Sequence, residues 1–288
     1  MSTLKDKYVN PLTDFGFKRL FGTEPNKELM IDFLNQLLPD RHQIVDLNYA
    51  RNEQFPNRVD ARKAVFDLYC VGENGERFIV EVQKAPQKFF KDRSVFYASF
   101  PIREQAIRGK WDFELQPVYT VGILNFTFDD STDDEVVHYV ELKDQECRVF
   151  YDKLKFIYLE LPKFRKQEHE LKTRFDKWMY VLRHLPDLQN RPRRLQEKVF
   201  KRLFDTAEIA KFTKKELAEY EESLKTFRDL TNVIDTATER GFERGIEQGR
   251  EATKEQIARR LLRLGVTTDL IVEATGLTAE QIDAMRPG

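Results

Sequence analysis

The stretch that decides the fold is residues 65–84, which read VFDLYCVGENGERFIVEVQK. Two short runs rich in β-branched and aromatic residues flank a Gly-Glu-Asn-Gly cluster, and this pattern predicts an antiparallel β-hairpin. Because side chains alternate between the two faces of a strand, Asp67 is expected on the face opposite to its neighbour Phe66. In the second run Glu81 shares a face with Gln83. Each predicted strand therefore carries one carboxylate among apolar residues.

The register of the hairpin decides whether the two acids meet. A two-residue Asn-Gly loop sets Asp67 opposite Val82 and turns Glu81 to the far face. A three-residue loop, with Gly75 in the left-handed conformation, sets Asp67 directly across from Glu81. Cross-strand neighbours are about 4.5–5.5 Å apart at Cβ, so two carboxylates there repel each other unless a cation lies between them. The second register predicts a metal site or a perturbed carboxyl pair; the alternative is two acids on a solvated strand face.

Composition excludes several classes of protein. The chain has 288 residues, a hydrophobic content of 41% and a formal net charge of -1, so it can bury a substantial core but has no global attraction to nucleic acid. The two cysteines are far apart and the four histidines show no paired spacing, which argues against a zinc site. The absence of a secretory signal and of a long apolar run predicts a cytoplasmic protein without a membrane partner.

A local excess of positive charge follows the second carboxylate strand. Residues 84–110 contain seven basic and two acidic residues, and their apolar positions Phe96, Tyr97 and Phe100 predict a helix that packs on the sheet. This segment could hold phosphates beside the candidate metal. A solvated basic helix face has the same composition and remains the alternative.

The remaining pattern divides the chain into three parts. Residues 1–165 are predicted to form a mixed α/β domain. It begins with a helix capped by Thr13 or Asp14, in which Asp14 and Lys18 are one turn apart. Further strands are predicted within 116–128, 135–142 and 153–161. Residues 166–236 have helical periodicity. Residues 237–288 contain glycines at every fourth position, 241, 245 and 249, followed by short helices that serve protein packing or DNA contact. Self-association is expected through residues 213–260.

Five short motifs in order carry a family resemblance: TDFGFKRLFG, VFDLYCV, FIVEVQ, RSVFYASFPIREQ and ELQPVYTVGILNF. Their order and spacing resemble the PD-(D/E)XK nuclease family that includes transposases and recombination-promoting nucleases, over nearly the whole chain. The resemblance implies the α/β class, with a restriction-endonuclease-like mixed sheet core flanked by helices. An all-helical C-terminal region would follow this core.

The resemblance also implies a set of site residues. Asp67, Glu81 and the backbone carbonyl of Val82 would hold Mg²⁺ or Mn²⁺. Gln83 stands where the superfamily usually has a Lys, and its amide can orient a water or donate to phosphate but cannot neutralise charge. Strand alternation turns the adjacent Lys84 to the opposite face. Further expected residues are Asp14 as an additional carboxylate, Gln105 facing the same site, and Lys88 and Arg93 as contacts to the nucleic-acid strand.

Two functions from different classes follow. The first is a metal-dependent DNA endonuclease that promotes recombination or mobile-element movement and acts as a homodimer. The second is a catalytically inactive nucleic-acid-binding module with a helical oligomerisation region, which the Gln at position 83 supports. A purely structural helical oligomer would leave the matched carboxylates unexplained.

Overall fold

The computed structural model describes residues 6–38, 43–50, 53–54, 64–106, 112–128 and 134–286. The chain forms two compact units, Met1–Arg228 and Asp229–Gly288. The first unit is built on a six-stranded sheet and the second is helical. Among the described residues, no helix combines the length and the hydrophobicity that a membrane crossing requires.

The described strands are β1 (Leu47–Tyr49), β2 (Glu53–Gln54), β3 (Ala64–Val65), β4 (Leu68–Gly72), β5 (Arg77–Gln83), β6 (Val118–Leu124), β7 (Val137–Lys143) and β8 (Val149–Glu160). Six of them form the main sheet, which is mixed and has the strand order β1-β4-β5-β6-β8-β7. Strands β5, β6 and β8 run parallel to one another, while β1, β4 and β7 join by antiparallel pairing. The short strands β2 and β3 form a separate antiparallel ribbon.

Helices cover both faces of this sheet. The helices of the first unit are α1 (Asp14–Phe21), α2 (Lys27–Asn35), α3 (Phe90–Glu104), α4 (Arg174–His184) and α5 (Lys198–Ala207), and α6 (Lys214–Arg263) begins in this unit. Residues of α1, α2, α4 and α5 share one large core with Phe78 and Val121 of the sheet. The opposite face carries two smaller cores in which α3 packs on β-strand residues such as Ile79 and Tyr158. All seven residues of β6 are buried, as its apolar run predicts.

The helical segment after residue 165 belongs to the same core as the sheet domain. Trp178 of α4 is fully buried and packs against Phe21, Phe33 and Phe200, with ring centroids 5.1–5.7 Å apart. Its indole N–H donates to Asp32 of α2 at 2.8 Å. The large core thus extends across the predicted border at residue 165. The division of the structure into two units falls after residue 228, whereas the sequence analysis places a border at residue 236.

The first hairpin strand is shorter than the sequence predicts. A continuous strand over residues 65–71 would place Phe66 on the face opposite to Tyr69, but the ladder stops at Leu68 and the chain bends at Asp67. Phe66 is buried beside Tyr69, with ring centroids 5.7 Å apart, and beside Phe100 of α3. At this bend the backbone N–H of Asp67 donates to the side chain of Glu81.

The second unit contains the end of α6 together with α7 (Thr268–Thr275) and α8 (Ala279–Asp283). Ala258, Ile271, Leu277 and Ile282 form its core. The three glycines spaced by four residues lie inside the uninterrupted helix α6. Apart from their chain neighbours and the backbone of α6 itself, no described atom lies within 4 Å of where their Cβ atoms would be, so no other described part of the chain makes a close approach to this stripe.

Candidate active site

The turn of the β4–β5 hairpin has three residues. The backbone N–H of Gly72 donates to the carbonyl of Glu76 at 2.8 Å, and the N–H of Gly75 donates to the carbonyl of Gly72 at 3.1 Å. Gly75 has φ +86°, a left-handed conformation that costs a glycine nothing and other residues a steric penalty. The turn therefore selects the second of the two registers that the sequence allows.

This register brings the two hairpin carboxylates together. Leu68 pairs with Val80, and one further step sets Asp67 across from Glu81. The backbone N–H of Asp67 donates to Glu81 Oε1 at 3.2 Å. In return the N–H of Val82 donates to Asp67 Oδ2 at 2.7 Å. Each acid is thus fixed by a backbone donor on the other strand.

Both carboxyl groups are partly buried, and this changes their protonation. Burial raises the pKa of Glu81 to about 8, and the charge of Asp67 adds to the rise. Burial also raises the pKa of Asp67, although the Val82 N–H opposes that shift. Two carboxyl groups that share a partly buried site cannot both ionise easily without a neighbouring positive charge.

Gln83 lies on the same strand face as Glu81. Its side chain is 6% exposed, and its Nε2 donates to Glu81 Oε2 at 3.1 Å. The amide therefore favours the ionised form of Glu81 without supplying charge. This contact fixes the amide on the carboxylate in the position where the superfamily usually has an ammonium.

The ammonium of Lys84 lies 5.6 Å from the centroid of the Phe227 ring, which packs against the large core. Gln83 instead pairs with Leu124, which packs on the α3 side of the sheet, so the two neighbouring side chains lie on opposite faces, as strand alternation predicts. Lys84 lines a cleft of about 680 Å³ with Asp14, Lys18 and Leu68. Burial and the Val82 N–H have the largest effects on the pKa of Asp67. Among the nearby charges, Asp14 raises this pKa, and Lys18 and Lys84 lower it.

Asp14 and Lys18 form the i,i+4 ion pair that their spacing suggests. Asp14 Oδ1 and Lys18 Nζ are 2.8 Å apart on α1, whose N-cap Thr13 accepts from the N–H of Gly16. The first turns of α6 add an acidic part to the cleft lining, with Glu216, Glu219 and Glu222. This cleft, which is lined by Leu68 but by neither of the two hairpin acids, therefore has mixed charge.

Arg93 is the basic residue of α3 whose charge acts on Glu81. Burial, the charge of Asp67 and the Asp67 N–H have the three largest effects on the pKa of Glu81. The positive charge of Arg93 comes next and lowers this pKa. The guanidinium carbon is 5.6 Å from the centroid of the Tyr97 ring, and Nη1 donates to Gln87 Oε1. Lys88 is exposed, with its ammonium 5.2 Å from the centroid of the Phe89 ring.

Comparison with known families identifies this arrangement. The model of the PD-(D/E)XK nuclease family transposases matches residues 11–237. The chain belongs to this family. The match covers the hairpin, α3 and the helices up to α6, so it includes every residue of the candidate site. Searches of curated proteins and of solved structures found no match. The PD-(D/E)XK membership assigns a nuclease-like function to the chain.

One residue that the family resemblance suggested lies elsewhere. Gln105 was expected to face the carboxylates, but its side chain is buried at the opposite end of the sheet, near the start of β6. Its Nε2 donates to the carbonyls of Pro101 and Gln116 at 3.2 and 3.3 Å, and its Oε1 accepts from the Gln116 N–H at 2.6 Å. Gln105 therefore fixes the end of α3 to the strand that follows, and its expected place at the site is wrong.

The donor set suits a hard divalent cation in part. Asp67 and Glu81 supply carboxylate oxygens, which Mg²⁺ and Mn²⁺ prefer, and a cation between them would relieve the repulsion that raises the pKa of Glu81. No group of three or more His, Cys, Asp and Glu side chains in the described residues has the arrangement of a metal site. Members of the PD-(D/E)XK family generally use divalent metals, and here two carboxylates would need backbone, water or substrate oxygens to complete the shell.

Proposed function

We propose that this chain is a metal-dependent DNA endonuclease that hydrolyses phosphodiester bonds. The observation that carries the proposal is the Asp67 and Glu81 pair, each held by a backbone N–H of the other strand. Structural acids on a solvated face would have ordinary pKa values, whereas burial raises the pKa of Glu81 to about 8. Strongly perturbed carboxyl groups beside a cleft are typical of functional sites.

The proposed ligands of the cation are Asp67, Glu81 and the carbonyl of Val82. Bound Mg²⁺ or Mn²⁺ would supply the positive charge that activates a water and stabilises the developing negative charge on the phosphate. The chain's own contribution is to fix the carboxylates: the N–H of Val82 positions Asp67, and the amide of Gln83 positions Glu81. Asp14, which is close enough to raise the pKa of Asp67, is a candidate additional carboxylate.

Three cationic side chains support a phosphate-bearing substrate. Lys18 and Lys84 are close enough to lower the pKa of Asp67, and Arg93 of α3 lowers the pKa of Glu81. The sequence supplies a further basic residue, Lys88, on the segment that connects β5 to α3. A strand that lies across the carboxylates would meet positive charge on both sides, and such contacts dominate the affinity of proteins for nucleic acid. Lys88 and Arg93 are accordingly proposed as strand contacts.

Gln83 favours a second candidate function. Its amide is hydrogen-bonded to Glu81 in the place of the usual Lys, so this position supplies no ammonium for the transition state. A catalytically inactive module that binds nucleic acid would be compatible with this. Lys18 and Lys84 favour the nuclease, because they bring positive charge close to Asp67. The two acids therefore have cationic neighbours even though position 83 carries no ammonium.

Cleavage of supercoiled plasmid with Mg²⁺, Mn²⁺ or EDTA tests the reaction. The nuclease predicts nicked or linear DNA with either metal and none with EDTA. Binding of the same DNA, measured by gel shift, is the second readout. Binding without cleavage under every metal condition would favour the inactive module, and the role in recombination would then be withdrawn with the nuclease.

We further propose that the chain forms a homodimer through α6. No residue between 229 and 257 is buried, yet Val233, Phe242 and Ile246 on this stretch are apolar and exposed. Three glycines inside an exposed helix lower its stability by about 1 kcal/mol each, so a partner helix would offset the cost. Light scattering should give twice the chain mass, and Phe242→Glu should return the monomer.

A further inference from the structure

A second cleft lies past the ends of β5 and β6 and has an aromatic lining. Its volume is about 420 Å³, and it is formed by the segment that precedes α3 and by the segment that follows β6. The aromatic lining residues are Phe89, Phe90, Phe126 and Phe128. The Phe90 ring centroid is 6.0 Å from the centroids of both Phe126 and Phe128. The proposed reaction uses none of these side chains.

Phe89 is the unusual residue of this cleft. Its backbone is left-handed, with φ 65° and ψ 30°, a conformation that is disfavoured for a bulky side chain. Its ring is nonetheless 67% exposed, so burial does not compensate for the conformation. The Lys88 ammonium lies 5.2 Å from the ring centroid. Strained residues of this kind concentrate at binding sites, where the strain fixes a group in position.

The aromatic cleft begins where the carboxylate face of the sheet ends. Gln83 pairs with Leu124 in the parallel register, so the two side chains share a face, and Leu124 packs in the same cluster as Phe90. A second link runs through Arg93, which donates to Gln87 of the cleft wall and whose charge acts on Glu81. A strand whose phosphate lies at the carboxylates would therefore reach this cleft with a neighbouring nucleotide.

We propose that this cleft binds an unpaired nucleobase of the nucleic-acid strand, stacked on Phe89. The inference rests on the proposed nuclease function and adds to it a preference for single-stranded or unpaired substrate. Bases inside a duplex already stack on each other, so an exposed ring can stack only with a base that has left the duplex. Lys88 and Lys91 supply positive charge for the adjoining phosphates.

The acidic residue of the cleft is compatible with a base but not with a phosphate. Asp92 lines the same cleft; a carboxylate repels a phosphate, yet it accepts a hydrogen bond from the exocyclic amino group of a base. The combination of stacking ring, cation above the ring and one acceptor matches a nucleobase.

Binding of fluorescein-labelled oligonucleotides tests the inference independently of cleavage. Fluorescence anisotropy is measured in EDTA with a short single strand and with the same strand annealed to its complement. Wild type should prefer the single strand. Phe89→Ala should weaken single-strand affinity about tenfold and Phe89→Trp should retain it, because stacking on an aromatic ring is sequence-tolerant. Duplex affinity should be unchanged in both variants.

Two further variants separate the ring from the backbone. Phe89→Gly removes the ring and also relieves the left-handed strain, so it should lose single-strand affinity while its melting temperature stays equal to or above that of wild type. Phe150→Ala removes an equally exposed ring, 80% accessible, from the start of β8, and should bind as wild type does.

Single-strand affinity of both Phe89→Ala and Phe89→Gly within about twofold of wild type would overturn the stacking site. Equal losses for single strand and duplex would also overturn it, because they indicate a phosphate contact. If wild type cleaves plasmid with metal while the Phe89 variants bind normally, only this inference fails. If wild type binds no nucleic acid at all, the stacking site and the proposed function fail together.

Discussion

Asp67 and Glu81 are fixed by exchanged hydrogen bonds across the β4–β5 hairpin. The N–H of Asp67 donates to Glu81 at 3.2 Å, and the carboxylate of Asp67 accepts from the N–H that follows Glu81 at 2.7 Å. These contacts hold each carboxylate against the backbone of the opposite strand at the point where β4 begins. A proton or a cation at the pair would relieve the repulsion between its members.

Without metal, the Glu81 carboxyl should make stability fall as pH rises. Its pKa is raised from 4.5 to about 8 by burial and by the charge of Asp67. Between these values the folded chain keeps a proton that the unfolded chain releases, so the free energy of unfolding decreases by at most about 1.4 kcal/mol per pH unit. Below about pH 4.5 both states are protonated and this loss is absent. Urea denaturation in EDTA from about pH 5 to pH 8 measures the slope.

The matched variants for this slope are Glu81→Gln and Glu73→Gln. Glu81→Gln should flatten the pH dependence, whereas Glu73→Gln, which changes an exposed acid in the turn of the same hairpin, should keep it. Mn²⁺ should raise the melting temperature of wild type more at pH 8 than at pH 6, because ligation requires the ionised carboxylate. Equal slopes in wild type and Glu81→Gln would show that Glu81 titrates normally.

Gln83→Lys should move the pH profile of cleavage toward acid. An ammonium beside Glu81 favours the ionised carboxylate and lowers its pKa, so the midpoint of kcat/KM against pH should fall by about one unit or more. Gln83→Met fills similar space but removes the donor to Glu81, and its midpoint should rise. The same midpoint in wild type and in both variants would mean that position 83 does not influence the carboxylate.

Gln105→Ala should reduce stability and leave the chemistry unchanged. The buried amide makes three hydrogen bonds to backbone groups, and loss of such a group costs about 1–3 kcal/mol. The cleavage rate per folded molecule should stay within about twofold of wild type, because Gln105 bonds to Pro101 and Gln116 and not to the two acids. A loss of about 1.4 kcal/mol of transition-state stabilisation would instead lower the rate tenfold. A tenfold fall in that rate at unchanged folded fraction would restore Gln105 to the site.

Gly75→Ala should destabilise the hairpin more than Gly75→Asn does. A left-handed conformation costs a residue with a Cβ about 1–2 kcal/mol, and Asn tolerates it better than Ala. A Cβ at this position would also lie 3.2 Å from Gln116 Cγ. Thermal unfolding should give the order wild type, Asn, Ala. Equal melting temperatures for the two variants would contradict the left-handed turn.

The sheet, its flanking helices and the neighbourhood of the two acids follow from local patterns in the sequence. Alternation predicts β5, and a continuous apolar run predicts the buried strand β6. The sequence leaves two possible registers for the hairpin, because residues 73–75 can form either a two-residue or a three-residue loop. The left-handed conformation of Gly75, with φ +86°, decides between them, and a glycine can adopt the backbone that either loop requires.

Two features could not be obtained from local patterns. Phe66 packs beside Tyr69 because the chain bends at Asp67, and alternation assumes an uninterrupted strand. Gln105 is fixed by backbone groups of Gln116, which lie across a segment whose path the sequence does not reveal.

The measurement that tests the central claim most directly is metal-dependent plasmid cleavage by Asp67→Asn and Glu81→Gln, with Glu73→Gln as the matched hairpin control and folding checked by circular dichroism. The account predicts that each of the first two variants loses at least about 10²-fold in rate, while the control cleaves as wild type does. Cleavage by Asp67→Asn and Glu81→Gln at the wild-type rate would contradict it, because the reaction would then have its centre elsewhere in the chain.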